Sequence, residues 1–453
     1  MLKTLALSHR LCRVCCGFKN MTAQKRTFLS EAYHCNEVWS RRLDSPLLQQ
    51  IDHSTMFVML EQKFASVGKI SAVDVDIFVN SVNNDIYVEE VMKILHNLRM
   101  SPEATNILES THHAVIRYFC QCDRIEELHE ILNDRLNYGI FPDYFGYNLL
   151  MDDFIKKQNY ASAAKVATLV MLQEETDHPI TNALCVYACH RYLENPENWK
   201  KPEVPVDTSK EEIKVRVRYI RNPFFDDHFD LTDPRDLVGK TLSFHGRHQA
   251  NTLGRTCQLR GLILYKKYDQ VLQLIKEWLE TIQDKIVYEE VFELIAKDNS
   301  GLQDQASEQL KLVQDQLTVL KGKQNDKGSL VEAMENMIRL AVKKKADQDV
   351  SKQCQSYLDW ERVRTSILEE QTKAIETQKR IANIERIKKD LKTREQLLTF
   401  FDNEEEIELK IEKIEAKERR QDERVHAMHG SAKKLQKLIA TETYVPPDIK
   451  NKK

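Results

Sequence analysis

The sequence predicts an all-α protein, a series of stacked helical hairpins followed by long charged helices. Three observations carry this. Only 12 Gly and 11 Pro stand among 453 residues, too few for a sandwich or barrel, which needs turn residues roughly every 8 to 12 positions. Apolar residues recur at a thirty-five-residue interval between residues 111 and 193. From Ser329 to His429 there is neither Gly nor Pro, and Lys, Arg, Glu, Gln and Ile dominate.

The first 27 residues stand apart. Lys3, Arg10, Arg13, Lys19, Lys25 and Arg26 precede the first acid, Glu31. Leu2, Leu5, Leu7, Leu11 and Val14 supply the apolar residues of a short helix expected here among those cations. A cationic, acid-free amphipathic start is the composition of a mitochondrial transit peptide, so residues 1–27 are expected to be a leader to the matrix. Losing its six cations would take the formal charge from −3 to about −9. Any contact with a polyanion must then come from a local patch rather than from bulk charge. No apolar run approaches the roughly 18 residues that span a bilayer. The ten Cys are scattered as buried free thiols usually are, without a disulfide framework.

The period is read by superposing Thr111–Phe119 on Gly146–Phe154, which pairs Ala114 with Leu149, Val115 with Leu150, Ile116 with Met151 and Phe119 with Phe154. The next interval brings Leu184, Cys185 and Cys189 onto Leu149, Leu150 and Phe154. A fixed period of this length marks a solenoid, whose units bury their apolar faces only by stacking. Gly139 and Pro142 separate one unit from the next, and the spacing restarts near Gln158-Asn159. Residues 73–195 are therefore expected to hold the repeats, with Val73–Leu98 as a degenerate first unit, behind an N-terminal arm and helix at 28–72.

The run Phe141-Pro142-Asp143-Tyr144-Phe145-Gly146-Tyr147-Asn148-Leu149-Leu150-Met151-Asp152 resembles a pentatricopeptide repeat. With Tyr138-Gly139-Ile140 before it and Phe154-Ile155-Lys156-Lys157 after it, residues 135 to 175 are similar to repeat proteins of the animal mitochondrial small ribosomal subunit. The resemblance implies a pentatricopeptide-like helical-hairpin solenoid with long charged C-terminal helices. It also implies partners: mitochondrial ribosomal RNA and neighbouring small-subunit proteins. In the resembled family the residue after the Tyr of the first helix meets an RNA base on the concave surface. That position is Asn148 here, next to Tyr147, and His113 in the unit before. An amide offers donor and acceptor to a base edge; His113 departs from the small polar residue usual there, which favours shape and phosphate contact over sequence reading.

Beyond the repeats, residues 196–236 carry Pro196, Pro202, Pro205, Pro223 and Pro234 and the run Phe224-Phe225-Asp226-Asp227-His228-Phe229, and read as an irregular insertion. Helical spacing resumes over 237–300, residues 301–328 read as a linker, 329–430 as charged helix or short coiled coil, and 431–453 as a tail. Ile384, Ile387, Leu391 and Leu398, then Ile407, Ile411 and Ile414, keep spacings of three, four and seven. Asp402–Glu406 interrupts that seam.

A second nucleic-acid candidate is electrostatic. Leu237 to Tyr268 contains no acid, while Lys240, Arg247, Arg255, Arg260, Lys266 and Lys267 supply six cations. Phosphate contacts supply most affinity in protein–nucleic acid interfaces, and Phe244 and Tyr265 are placed to stack on unpaired bases. The alternating run Lys214-Val215-Arg216-Val217-Arg218-Tyr219-Ile220-Arg221 is a weaker candidate of the same kind. A basic face meeting an acidic protein neighbour explains the same residues.

Catalytic patterns fail on inspection. Gly239-Lys240-Thr241 resembles the end of a phosphate loop, but the glycine needed five positions earlier is Pro234. His112 and His113 diverge by about 100° on a helix, and Cys120 and Cys122 by about 200°, so neither pair shares a metal. Cys185 and Cys189 fall at core positions. The expectation is a non-catalytic RNA-binding component of the mitochondrial small ribosomal subunit, supporting translation, without cofactor, metal or membrane span. A free-standing mitochondrial RNA-maturation factor and a protein-only scaffold remain open as alternatives.

Overall fold

The computed structural model describes residues 28–196, 199, 226–299 and 308–442. The expected leader 1–27 and the basic arm 214–221 lie outside the described residues. The described residues are almost entirely helical, with a single isolated bridge between Tyr288 and Asp326. The chain divides into two compact units, residues 1–365 and 366–453.

Two short helices, α1 (Asn36–Ser40) and α2 (Pro46–Gln49), flank a 3-10 turn at Arg41–Asp44, and α3 (His53–Val67) follows. Helices then come in pairs: α4 (Ala72–Ser81) with α5 (Val88–Met100), α6 (Glu109–Gln121) with α7 (Ile125–Asn133), and α8 (Tyr144–Lys156) with α9 (Tyr160–Leu172). With α10 (Pro179–Glu194), the starts at Glu109, Tyr144 and Pro179 repeat the interval seen in the sequence.

The hairpins share one turn. Asp123 and Gln158, thirty-five residues apart, take left-handed backbone at φ 55° and 57°. The next N–H reaches back over the helix end, Arg124 to the Phe119 carbonyl at 3.0 Å and Asn159 to that of Phe154 at 2.8 Å. Left-handed backbone costs a non-glycine residue about 1 kcal/mol; the bond that closes the last turn offsets it by satisfying an orphan carbonyl. Lys266, at φ 61°, repeats the device, with Lys267 bonded to Leu262. Asp143 and Asn159 cap α8 and α9 through Gly146 N and Ser162 N.

After α10 come α11 (Pro234–Arg247) and α12 (Thr252–Leu264), and α11 packs against α9 and α10. Gly239 and Gly246 on α11 face Gly254 and Gly261 on α12, each pair seven residues apart. A Cβ on Gly246 would stand 2.6 Å from Gln258 N, and one on Gly261 2.4 Å from Ser243 N. The two backbones touch, which only glycine permits. Gly239 is thus a helix-packing residue.

Next come α13 (Tyr268–Thr281), α14 (Glu290–Asn299) and α15 (Glu308–Lys321). Within the segment expected as a linker at 301–328, α15 buries Val313, Leu317 and Leu320 against Val271, Ile275 and Val291 in a second core. The main core runs from Leu29 through the repeats to Ala341 and contains Phe78, Phe119, Phe145 and Phe154. Helix α16 (Leu330–Leu398) crosses the unit boundary, and α17 (Glu404–Glu442) follows a break at 399–403. In the second unit the described side chains are mostly exposed.

Candidate nucleic-acid interface

The first helices of the hairpins line up their inner faces in register. Asp76, Thr111, Gly146 and Thr181 fall at successive intervals of thirty-five, as do Phe78, His113, Asn148 and Ala183. This is the surface on which the sequence places base contacts.

The chain covers that surface itself. Residues 28–40 lie across it: Leu29 N donates to Asp152 Oδ1 at 3.2 Å, Tyr33 stacks on Phe145 with centroids 5.1 Å apart, and His34 Nε2 meets Asp152 Oδ2 at 3.0 Å. Burial works to raise the Asp152 pKa, but the hydrogen bonds from His34 and Lys156 outweigh it and hold the carboxyl below its ordinary range. Residues 330–365 of α16 complete the cover. The Asp349 carboxylate accepts from the Tyr33 hydroxyl at 3.2 Å and meets His178 Nε2 at 3.0 Å. Burial, then the Asp349 charge, pushes the Tyr33 phenol above its usual range, so it stays a donor. Tyr357 Oη lies 3.0 Å from His113 Nε2, Trp360 Nε1 donates to Glu109 at 3.3 Å, and Arg364 Nε donates to Asp76 Oδ2 at 2.7 Å. Asp76 also accepts from Thr111 Oγ1 at 2.8 Å.

The three residues expected to meet bases lie inside the chain's own packing. Asn148 is fully buried; its Nδ2 donates to Tyr33 Oη at 2.9 Å and its Oδ1 accepts from Thr181 Oγ1 at 2.8 Å. Donor and acceptor are both committed inside the chain. His113 is 2% exposed, and burial drives its pKa well below the ordinary value, so it is neutral and accepts from Arg117 Nε at 3.1 Å. Tyr147 is fully buried and donates to Gln173 Oε1 at 2.8 Å. These residue types serve an internal ligand as well as they would serve a base.

The cations of the basic stretch are placed differently from one another. Arg260 is 2% exposed and grips Asp298 through Nε at 2.8 Å and Nη2 at 3.1 Å. Arg255 donates to the carbonyls of Lys285 and Ile286 at 3.0 and 2.9 Å. Lys240 and Lys267 lie over the Tyr265 ring, at 5.5 and 5.0 Å, and organise the Asp227 loop. Tyr265 donates to the Asp227 carbonyl at 3.0 Å, and Phe244 packs edge-on against His248. The stretch holds no acid in sequence, but Asp227, Asp236 and Asp298 come to it in space. Arg247 and Lys266 remain open to solvent, Lys266 half-exposed beside Asp236.

Sequence reasoning missed Asp76, Asp349 and Arg364. The signal for the last two lay in α16, where Leu330, Met334, Ile338, Asp349, Gln353, Tyr357 and Arg364 share one face at spacings of three and four or their sums. Cys185 and Cys189 are core residues, fully buried. Among the described residues no group of three metal-binding side chains gathers, and no helix is long and apolar enough to cross a membrane.

A family model described as mitochondrial 28S ribosomal protein S27 matches residues 1–390. That span covers most of the 453 residues, and the chain accordingly belongs to this ribosomal, non-enzymatic family.

Proposed function

We propose that this chain is a structural, RNA-associated component of the mitochondrial small ribosomal subunit, working in the matrix after loss of residues 1–27. Its hairpins form a short pentatricopeptide-like solenoid, and that solenoid serves as a cradle for the chain's own arm and α16. Contacts with ribosomal RNA come from exposed cations outside the covered face, Arg247 and Lys266 among them. The distal charged helices meet neighbouring ribosomal proteins. Family membership over residues 1–390 supports the ribosomal setting. The observation that carries the mechanism is Asn148, whose amide is satisfied within the chain at both ends. A buried amide so bonded gains nothing from a base and would give up its bonds to Tyr33 and Thr181 if it turned away.

Sedimentation of mitochondrial lysate tests the role. The chain should travel with the small subunit through a high-salt wash and crosslink to ribosomal RNA. Shedding in salt would favour a free-standing factor, and co-sedimentation without any RNA crosslink would favour a protein-only scaffold.

A further inference from the structure

The two arginines buried almost completely are each held by a carboxylate. Arg260 has Asp298 at 2.8 Å, and Arg364 has Asp76 at 2.7 Å. Two half-buried guanidiniums without a carboxylate partner, Arg42 and Arg117, stand together where the Arg41–Asp44 turn meets α6 and α16. Arg42 donates from Nε to the Asn80 carbonyl at 3.1 Å and from Nη1 to the Trp39 carbonyl at 3.1 Å, with its guanidinium carbon 4.0 Å from the Trp39 ring. Arg117 donates to Asn36 Oδ1 at 2.8 Å, to the Tyr357 hydroxyl at 3.2 Å, to His113 Nε2 at 3.1 Å and to the His34 carbonyl. Every one of these acceptors is neutral. Arg41, one residue earlier, is exposed and makes no ion pair among the described residues.

Two clefts open here and share Trp39 and Arg42 as a wall. One, of about 160 Å³, is lined by Arg41, Arg364 and Trp360; the other, of about 450 Å³, by Asn36 and Arg117. Glu361 stands on the first, and Asp153 on the second, where it is paired with Lys157 at 3.2 Å. The balance is positive. Burial, followed by the Arg117 charge, lowers the Arg42 pKa to about 10, in keeping with a cation that lacks its counter-ion.

We propose that Arg41, Arg42 and Arg117 form a phosphate-binding cluster that holds the sugar–phosphate backbone of an RNA strand against the arm-proximal edge of the repeats. The guanidinium forks of Arg41 and Arg42 match phosphate oxygens with paired hydrogen bonds, while Arg117, whose Nη groups are bonded within the chain, adds charge; an arriving anion would relieve the cost of an uncompensated half-buried charge. The half-buried indole of Trp360 at the rim gives an adjoining base a surface to stack on, which an acidic peptide would not need. The inference rests on the ribosomal reading above for its choice of RNA over an acidic protein segment.

The test measures binding of the full chain to a single-stranded RNA oligonucleotide over a range of salt, with polyglutamate as competitor. Arg41→Glu is chosen because Arg41 holds nothing in place; Arg42→Lys keeps the charge and removes the fork. Arg41→Glu should weaken RNA binding about tenfold at low salt and reduce the slope of log affinity against log salt by about 0.7. Arg42→Lys should weaken binding less and leave the slope unchanged, and polyglutamate should not displace the RNA. A folded Arg41→Glu chain with native affinity and slope would overturn the cluster while leaving the ribosomal reading intact. Polyglutamate binding that is lost in Arg41→Glu, without RNA binding in the native chain, would overturn it in favour of an acidic protein partner. A native chain that neither binds RNA nor crosslinks to it in mitochondria would remove both.

Discussion

One helix, α16, meets two different environments along its length. In its first half Leu330, Met334, Ile338, Ala341, Asp349, Gln353 and Arg364 are buried. In its second half the regular apolar seam is open, with Ile384 51%, Ile387 45% and Leu391 58% exposed. The better-looking hydrophobic pattern is therefore the unpartnered one among the described residues. The buried half reads as mixed because the surface it meets is mixed. His178, His113 and Asp76 of the repeats and Tyr33 of the arm face it, and an apolar stripe laid on them would take from each its polar partner on α16. Periodicity of apolar residues alone detects a helix face made for an oily groove and overlooks one made for a polar groove.

The largest way to break this contrast is acid. Burial lowers the pKa of His112 and His129 to about 4 and of His190 and His245 to about 3. In the unfolded chain these groups titrate near their ordinary value, so the unfolded state binds the extra protons. The stability they contribute is complete above about pH 6.5 and falls as pH drops toward the folded values, by about 2 kcal/mol for each histidine at pH 5. Thermal melts followed by Trp fluorescence should show a midpoint that drops steeply between pH 6.5 and 5. A flat profile would mean these imidazoles are not buried as described.

Next in size is the bond between the packed half and the repeats. Asp76→Ala leaves the buried Arg364 guanidinium without its partner, and should cost about 3–5 kcal/mol in denaturant unfolding. Arg364→Ala strands Asp76 in the same way. If either costs no more than a surface substitution, the packed half does not rest on α4.

How much of this was legible follows from the range of each interaction. The hairpins were visible because a unit recurs within thirty-five residues, and the core positions Cys185 and Cys189 followed from the register. The leftover polar positions were not decodable. Asn148 and His113 occupy sites where the resembled family meets RNA, yet here the ligand is a segment of the same chain; Asp76 and Arg364 are 288 residues apart. The acids beside the basic stretch were hidden for a related reason. An acid-free run is a property of sequence order, and Asp227, Asp236 and Asp298 enter from outside it. The segment at 301–328 was readable, since Leu310, Val313, Leu317 and Leu320 keep helical spacing, but its Lys, Gln and Gly content masked it. Gly239 was read only against a phosphate loop, whereas the seven-residue spacing of the glycines on α11 and on α12 is the signal of close helix contact.

That contact yields a smaller prediction. Gly246→Ala forces a methyl into the space 2.6 Å from Gln258 N and should cost about 1–3 kcal/mol as overpacking, read as a lower melting temperature. A neutral result would show that α11 and α12 are further apart than described. Smallest of all is the open half: Ile384→Ala and Leu391→Ala should change the stability of the isolated chain by less than about 0.5 kcal/mol. A larger loss would reveal a partner for that seam within the chain.

Hydrogen–deuterium exchange along α16 of the full chain tests the central claim most directly. Amides from about Met334 to Arg364 should be strongly protected, because opening them requires lifting the helix from the repeats. Those from Lys373 to Leu398, in a helix with exposed sides, should exchange far faster. Equal and rapid exchange through both stretches would contradict the account, because the inner face of the repeats would then be free for another ligand.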